Sequence, residues 1–354
     1  MTFPVETSQT RVLPFGSDPP LRRRYLLLDE PLRGNLRFGL LLEDLDKLAE
    51  ETALGYVRRV HPAARVVTAA IDNIYVRHAA DIERDLRFHA RINFVGRSSL
   101  EVGIRVEHSK APADHIASCY FTMVAREGHG DEARSLTIPP LEFAEPLEIR
   151  RAEKARQHRA ERQDARNAGA EPPGRDEFDL LARLHAAQDQ SGFDGRLASR
   201  SVISTWERTY PEHENVPQKI FGGYVVRRAY ECAALAAEEV APDRAVLVAV
   251  NRINFLQPVR MGDKLHFQSR VVYSGDHSLA VETNIVRKSR DRSESDLSNT
   301  CIFTFVNVGP DLDLRPVPVI HPTTYAEDAR FLAAHRRKRE HRQWKTTRGE
   351  AHPG

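Results

Sequence analysis

Two stretches of the chain set a carboxylate about two helical turns beyond a glycine. In FGLLLEDLDKLAEETA, from Phe38, Asp46 stands seven residues after Gly39. In FGGYVVRRAYECAALAAEE, from Phe221, Tyr230 stands seven residues after Gly223 and Glu231 one later. The start of a helix offers unpaired N–H groups and a positive dipole end. Glycine there lets a carbonyl oxygen approach the backbone closely. Gly39 and Gly223 are therefore candidate oxyanion sites. A carboxylate within reach of the polarised carbonyl could deliver water to it as general base.

Each acid also has a plainer reading. Glu43, Asp44 and Asp46 follow Leu40-Leu41-Leu42, and acids early in a helix commonly serve the dipole. Helical geometry puts Asp46 and Glu43 on one side and turns Asp44 away. Glu231 is flanked by Ala229, Cys232, Ala233 and Ala236, where a carboxylate needs a partner or a task. A salt bridge to Arg227 or Arg228 is the competing account.

The elements that must position these residues occur twice. LRFHARINFVGRSSLEV (86–102) aligns without gaps on LHFQSRVVYSGDHSLAV (265–281), 179 residues later. Leu86/Leu265, Phe88/Phe267, Arg91/Arg270, Gly96/Gly275 and Ser99/Ser278 are identical pairs at that offset. AAIDNIYV (69–76) aligns with VAVNRINF (248–255) at the same offset, and ASCYFTMV (117–124) with NTCIFTFV (299–306) after a short insertion. The chain is an internal duplication, which fits its 354 residues at ~150 per domain. In each copy a helix precedes β-rich runs, roughly 65–78, 86–108 and 115–127, then 245–259, 264–289 and 298–309. The Gly-containing pieces FVGRSS and YSGDHS read as hairpin turns. A helix followed by an antiparallel sheet is an α+β arrangement in which the helix buries its apolar side on the sheet.

Composition excludes several classes. No stretch approaches the ~18 apolar residues of a membrane span, and mean hydropathy is −0.49. Lys+Arg 52 against Asp+Glu 50 leaves a net charge of +2, with no global basic field for nucleic acid. Cys119, Cys232 and Cys301 form no C-x-x-C pattern, so neither a disulfide framework nor a zinc site is supported, and a reducing compartment fits. Cys119 and Cys301 are equivalent under the repeat, which favours buried packing over nucleophilic catalysis. No signal peptide or mitochondrial presequence is evident at the start of the chain. The expected organisation is an N-terminal lead-in (1–30), a first domain (31–140), a charged linker (141–200), a second domain (201–325) and a basic tail (326–354).

The repeated unit resembles the hotdog fold, here as a tandem or double hotdog of two antiparallel sheets each wrapped on a central helix. LRFGLLLEDLDKLAEE (36–51) resembles the R-F-G-x-x-L-E-D-L-D of the acyl-CoA thioesterase 9 family. KIFGGYVVRRAYECA (219–233) resembles its I-F-G-G-x-x-x-R-x-A-x-E, and VAVNRINFLQPVRMGDKLHFQSRV resembles its second-half strand segment. The resemblance runs from about residue 30 to about 330. It implies hydrolysis of acyl-CoA thioesters to free fatty acid and CoA, without metal or other cofactor, and a place in lipid metabolism. It implies an acidic residue at Asp46 acting as base or nucleophile, and matches Glu231 to the family's A-x-E.

Asn35, four residues before Gly39, occupies a position where related double-hotdog enzymes place an active-site asparagine, and an ordinary helix N-cap is the alternative. Lys219 stands at the corresponding place in the second half, so the two sites are not equivalent. A site combining Asn35 with Glu231, and another combining Asp46 with the region of Lys219, are the expected pair, of which one can be degenerate. Arg97, Lys219 and Arg227 are candidates for the CoA phosphates. The resemblance further implies a homo-oligomer, a trimer of two-domain chains among the options, and a mitochondrial or cytoplasmic location. Two rivals are a hotdog hydratase, disfavoured because no Asp-x4-His precedes either glycine, and a non-catalytic acyl-CoA-binding or scaffold protein whose sites have decayed.

Overall fold

A computed structural model describes residues 2–349 apart from 31, 110–113, 129–132, 168–171, 217–218 and 252. The first copy carries β1 (Gln9–Leu13), α1 (Pro19–Tyr25), α2 (Phe38–Val57), β2 (Arg65–Ile71), β3 (Ile74–Val76), β4 (Leu86–Val95), β5 (Ser99–His108), β6 (His115–Glu127) and β7 (Arg134–Ser135). Helices α3 (Pro146–Asn167) and α4 (Arg175–Gln188) follow. The second copy carries β8 (Arg196–Leu197), β9 (Val202–Arg208), β10 (Glu214–Val216), β11 (Lys219–Ile220), α5 (Gly222–Glu238), β12 (Arg244–Val250), β13 (Ile253–Asn254), β14 (Lys264–Ser274), β15 (Ser278–Lys288), β16 (Ser295–Val308), β17 (Ile320–His321) and α6 (Tyr325–Gly349).

The hydrophobic pattern dictates the layers. In α2, Leu41, Leu45, Leu48, Thr52 and Tyr56 recur at helical spacing and are buried, and in α5 Val226, Ala229, Ala233 and Ala237 do the same. The small residues of α5 let the two helices approach closely. The long strands bury alternate residues, so one sheet face is left to cover the helices. Among the described residues the two copies merge into one 13-stranded sheet of order β1-β4-β5-β6-β3-β12-β16-β15-β14-β9, with β2 beside β6 and β13. The junction is reciprocal: β3 pairs with β12 (Ala249 opposite Tyr75) and β2 with β13 (Ile253 opposite Ile71). This is the double hotdog that the resemblance implies.

Irregularities are repeated as faithfully as strands. A bulge lies between Ile92 and Phe94 in β4 and between Val271 and Tyr273 in β14. Another lies between Thr68 and Ala70 in β2 and between Leu247 and Ala249 in β12. The hairpin turns close with Gly96 N donating to Ser99 O (2.7 Å) and Gly275 N donating to Ser278 O (2.8 Å).

The duplication reaches further than the aligned strands. α3 and α6 begin 179 residues apart, the repeat offset, and pack on the equivalent strands β4 and β14. The charged 141–200 segment, expected as a linker, is thus held on the sheet at its start. The reason is that α3 docks with little apolar surface: it buries Ala152 and Ala155, and ion pairs do the rest. Arg162 bonds Asp72 (2.5 Å), His158 bonds Glu101 (3.0 Å), and Lys154 lies over the Tyr120 ring at 4.5 Å. Asp72, Glu101 and His158 could in type hold a cation, but this outer-face group already carries the Arg162 guanidinium. α4 docks on the second copy through Leu181 and Leu184 against Phe331 and Leu332, with Glu177 bonded to Arg336 at 2.6 Å.

Candidate active site

Helices α2 and α5 lie side by side and antiparallel, because the residue seven beyond each glycine meets the glycine of the other helix. Asp46 Oδ2 accepts the Gly223 N–H at 2.7 Å, and Asp46 Oδ1 accepts the Thr68 hydroxyl at 2.7 Å. Tyr230 packs on Gly39: a methyl group added at Gly39 would sit 3.0 Å from its ring and 3.1 Å from Arg227 Cγ. Gly223 is crowded in the same way, by the Phe221 ring (2.7 Å) and by Asp46 Cβ (3.0 Å). Both glycines are thus required by close approach of the opposite helix.

Asp46 is fully buried. Burial pushes its carboxyl up to about 7; the Thr68 hydrogen bond opposes this, and Glu50 and Glu43 add to it while the Gly223 N–H works against it. A carboxylate that titrates near neutrality, at the N-terminus of a 17-residue helix, has the affinity of a general base. Phe221 and Phe255 cover the spot, with the Phe255 ring 3.1 Å from where a Gly222 methyl would stand.

The two pseudo-equivalent sites have diverged. Where the first has Asp46 and Thr68, the second has Tyr230 and Leu247 at the corresponding helix and bulge positions. Thr68 was not singled out from the sequence; its signal is a hydroxyl in an apolar strand whose repeat partner is leucine.

The other sequence candidates are distributed as follows. Glu231 is not at a helix N-terminus: its carboxylate is bonded by Arg227 Nε (3.0 Å) and by Arg228, with Arg37 at 3.5 Å. The salt-bridge reading holds for it, and Tyr230 takes the position facing Gly39. Asn35 is buried, with its side chain fully engaged by backbone: it accepts from Leu27 N (3.1 Å) and Leu28 N (2.9 Å) and donates to Leu28 O (2.7 Å) and Glu30 O (2.8 Å). It pins the loop ahead of α2 and is not hydrogen-bonded to Glu231, so the expected pairing of those two is not assembled. Arg227 is likewise spent on Glu231 and on Glu43 (3.0 Å), tying α5 to α2. Arg97 is exposed in the β4–β5 turn. Lys219 belongs to β11, and its side chain lies outside the described residues. Cys119 and Cys301 are fully buried and their thiols are pushed up to about 12, which leaves them unreactive.

The thioesterase superfamily model matches residues 47–112 and 218–294, once in each copy. The mitochondrial acyl-coenzyme A thioesterase 9 of Mus musculus is 27% identical over 344 residues, covering 92% of this chain and 75% of that protein. The human protein of the same name is 27% identical over 345 residues, with the same coverage. An uncharacterized acyl-CoA thioester hydrolase of Zymomonas mobilis is 33% identical over 120 residues, 33% of this chain and 79% of that one. Among solved structures, an acyl-CoA hydrolase from Bacillus cereus aligns with a TM-score of 0.41 at 24% identity, covering 45% of this chain and 97% of that one. With the superfamily model matched in both copies and the sequence likeness spanning nearly the whole chain, the protein belongs to the thioesterase superfamily, in the group of acyl-CoA thioesterase 9.

Proposed function

We propose that the chain hydrolyses acyl-CoA thioesters to the free acid and CoA, with Asp46 as general base at the N-terminus of α5. One observation carries this reading: a buried carboxylate titrating near neutrality bonds the Gly223 N–H at 2.7 Å. That N–H is the donor a thioester carbonyl oxygen would need. On substrate binding the carbonyl oxygen takes the Gly223 N–H, where negative charge develops. Asp46 then removes a proton from a water that attacks the carbonyl carbon, and Thr68 holds the other carboxylate oxygen. As the tetrahedral intermediate collapses, the carbon–sulfur bond breaks and the sulfur leaves as CoA thiolate. Protonated Asp46 passes its proton to the leaving thiolate, which restores the carboxylate, and the acid loses the remaining proton of the water to solvent.

The second site lacks both the carboxylate and the hydroxyl, so catalysis is assigned to one site per chain. That same divergence supports the other reading, a binding protein with decayed sites. Release of free thiol from acyl-CoAs of several chain lengths separates the two. Turnover is expected; no turnover on any chain length, with acyl-CoA binding intact, overturns the enzymatic reading. The proposal includes a homo-oligomer, a trimer of two-domain chains, readable by light scattering. It also includes a mitochondrial location, in line with the relatives named mitochondrial and checked by fractionation. The tandem domains are assigned to 31–140 and 201–325, each extended by its outer helix.

A further inference from the structure

Two aromatic rings stand at Asp46, and their surroundings differ. Phe221 borders a cavity of about 630 Å³ whose walls carry Glu43, Lys47, Glu50, Glu212 and Arg227. Lys47 Nζ lies over the Phe221 ring at 5.6 Å. Charged walls of this kind give an alkyl chain little gain over water. Phe255 is half-buried and packs instead against the hydrophobic core. Its place is fixed by the strand that also supports the base. β13 pairs with β2 through Ile253 opposite Ile71 and Asn254 opposite Ala70, and Phe255 N then donates to Ala69 O at 3.1 Å. Thr68, the next residue of β2, holds Asp46 Oδ1. Ring and base meet at Gly222: a carbon placed on Gly222 would lie 3.1 Å from Phe255 Cζ and 3.3 Å from Asp46 Oδ2. A single carbon atom there would touch both.

The repeat shows that this arrangement is particular to the Asp46 site. With Gly223 matched to Gly39, Gly222 corresponds to Phe38, and at the offset of 179 Phe255 corresponds to Val76. In the copy that places Tyr230 on the glycine, the helix carries the aromatic residue and the strand a valine. In the copy with Asp46 the helix gives way to glycine and the strand supplies the ring. We propose that Phe255 is the specificity-determining residue of the Asp46 site, its ring closing the acyl pocket and restricting the substrate to short acyl chains. This rests on the reading of Asp46 as base. A carbonyl carbon within reach of Asp46 Oδ2 then has the Phe255 ring beside its alkyl group, and a longer chain must displace that ring. Phe255 acts on chain length and takes no part in the chemical step.

The test measures kcat/KM for butyryl-CoA and octanoyl-CoA by thiol release in the wild type, Phe255→Ala, Phe255→Trp and, as control, Leu256→Ala. The wild type should favour butyryl-CoA. Phe255→Ala should raise the octanoyl-to-butyryl ratio about 15-fold, from about two further methylenes housed at about fourfold each, the equivalent of ~0.8 kcal/mol per methylene. Phe255→Trp should lower the ratio, and Leu256→Ala, 52% exposed, should leave it within about twofold. Phe255→Leu gives a smaller rise in the same direction and takes the place of Phe255→Ala if that variant fails to fold. The same ratio is read as dissociation constants by calorimetry in Asp46→Asn, with and without Phe255→Ala. A shifted binding ratio beside a wild type that releases no thiol refutes the hydrolytic reading and leaves the role of Phe255 standing. A ratio unmoved in both assays, or an equal loss on both substrates, overturns the proposal.

Discussion

Thr68→Val isolates the contribution of one hydroxyl to the base. Valine keeps the shape of threonine, and Leu247 shows that the equivalent bulge tolerates an aliphatic residue. What is lost is the 2.7 Å hydrogen bond to Asp46 Oδ1, the largest influence holding the carboxyl down against burial. A hydrogen bond to a charged group is worth about 1.5–3 kcal/mol, and 1.36 kcal/mol corresponds to one pKa unit. The Asp46 carboxyl should therefore rise from about 7 by about one to two units. Asp46 must be ionised to accept a proton, so activity grows with pH through its pKa. In the variant the acid limb of kcat/KM moves upward, and the rate near pH 7 falls about 5- to 50-fold, with recovery towards the wild-type value above about pH 9. The assay is thiol release across that range with one acyl-CoA. A limb that stays where it was, with the rate unchanged or lowered equally at all pH, refutes the reasoning.

Three more expectations concern stability and packing. Because Asp46 is raised to about 7 from an unfolded value of ~3.9, the folded chain holds its proton more tightly; the resulting stability is full below about pH 4 and is lost as pH rises towards 7, by about 4 kcal/mol. Denaturant melts at about pH 5 and pH 8 should show Asp46→Asn gaining on the wild type at the higher pH; a constant difference speaks against a buried, titrating Asp46. Gly223→Ala drives a methyl into the Phe221 ring and Asp46 Cβ and should cost about 100-fold or more in kcat/KM, whereas Gly39→Ala presses on Tyr230 and Arg227 and should cost about 1–3 kcal/mol of stability with kcat/KM within about fivefold. Cys119→Ala and Cys301→Ala should lower the melting temperature and leave thiol-release kinetics unaltered, checked by calorimetry and the same assay.

The repeat, the two glycines and the β-rich runs were legible because each rests on local pattern: apolar alternation, a helix start, a glycine turn. The choice between Asp46 and Glu231 was not. It depends on how two antiparallel helices meet, and one residue of offset turns a side chain by about 100° around the axis. That turn takes Glu231 off Gly39 and onto Arg227 and Arg228, leaving Tyr230 in place. Thr68 was invisible as a site residue because its partner lies 22 residues away on another element. The outer helix α3 read as linker because its docking uses alanines and ion pairs, and neither leaves a hydrophobic stripe.

The central claim is that Asp46, and not Glu231, supplies the base. It is tested most directly by kcat/KM for thiol release from one acyl-CoA, compared among the wild type, Asp46→Asn and Glu231→Gln. Loss of about 1,000-fold or more is predicted for Asp46→Asn, with Glu231→Gln within about threefold, since removing a general base costs ~10²–10⁴ and a half-exposed ion pair little. Full activity in Asp46→Asn, or equal collapse in both variants, would contradict the account.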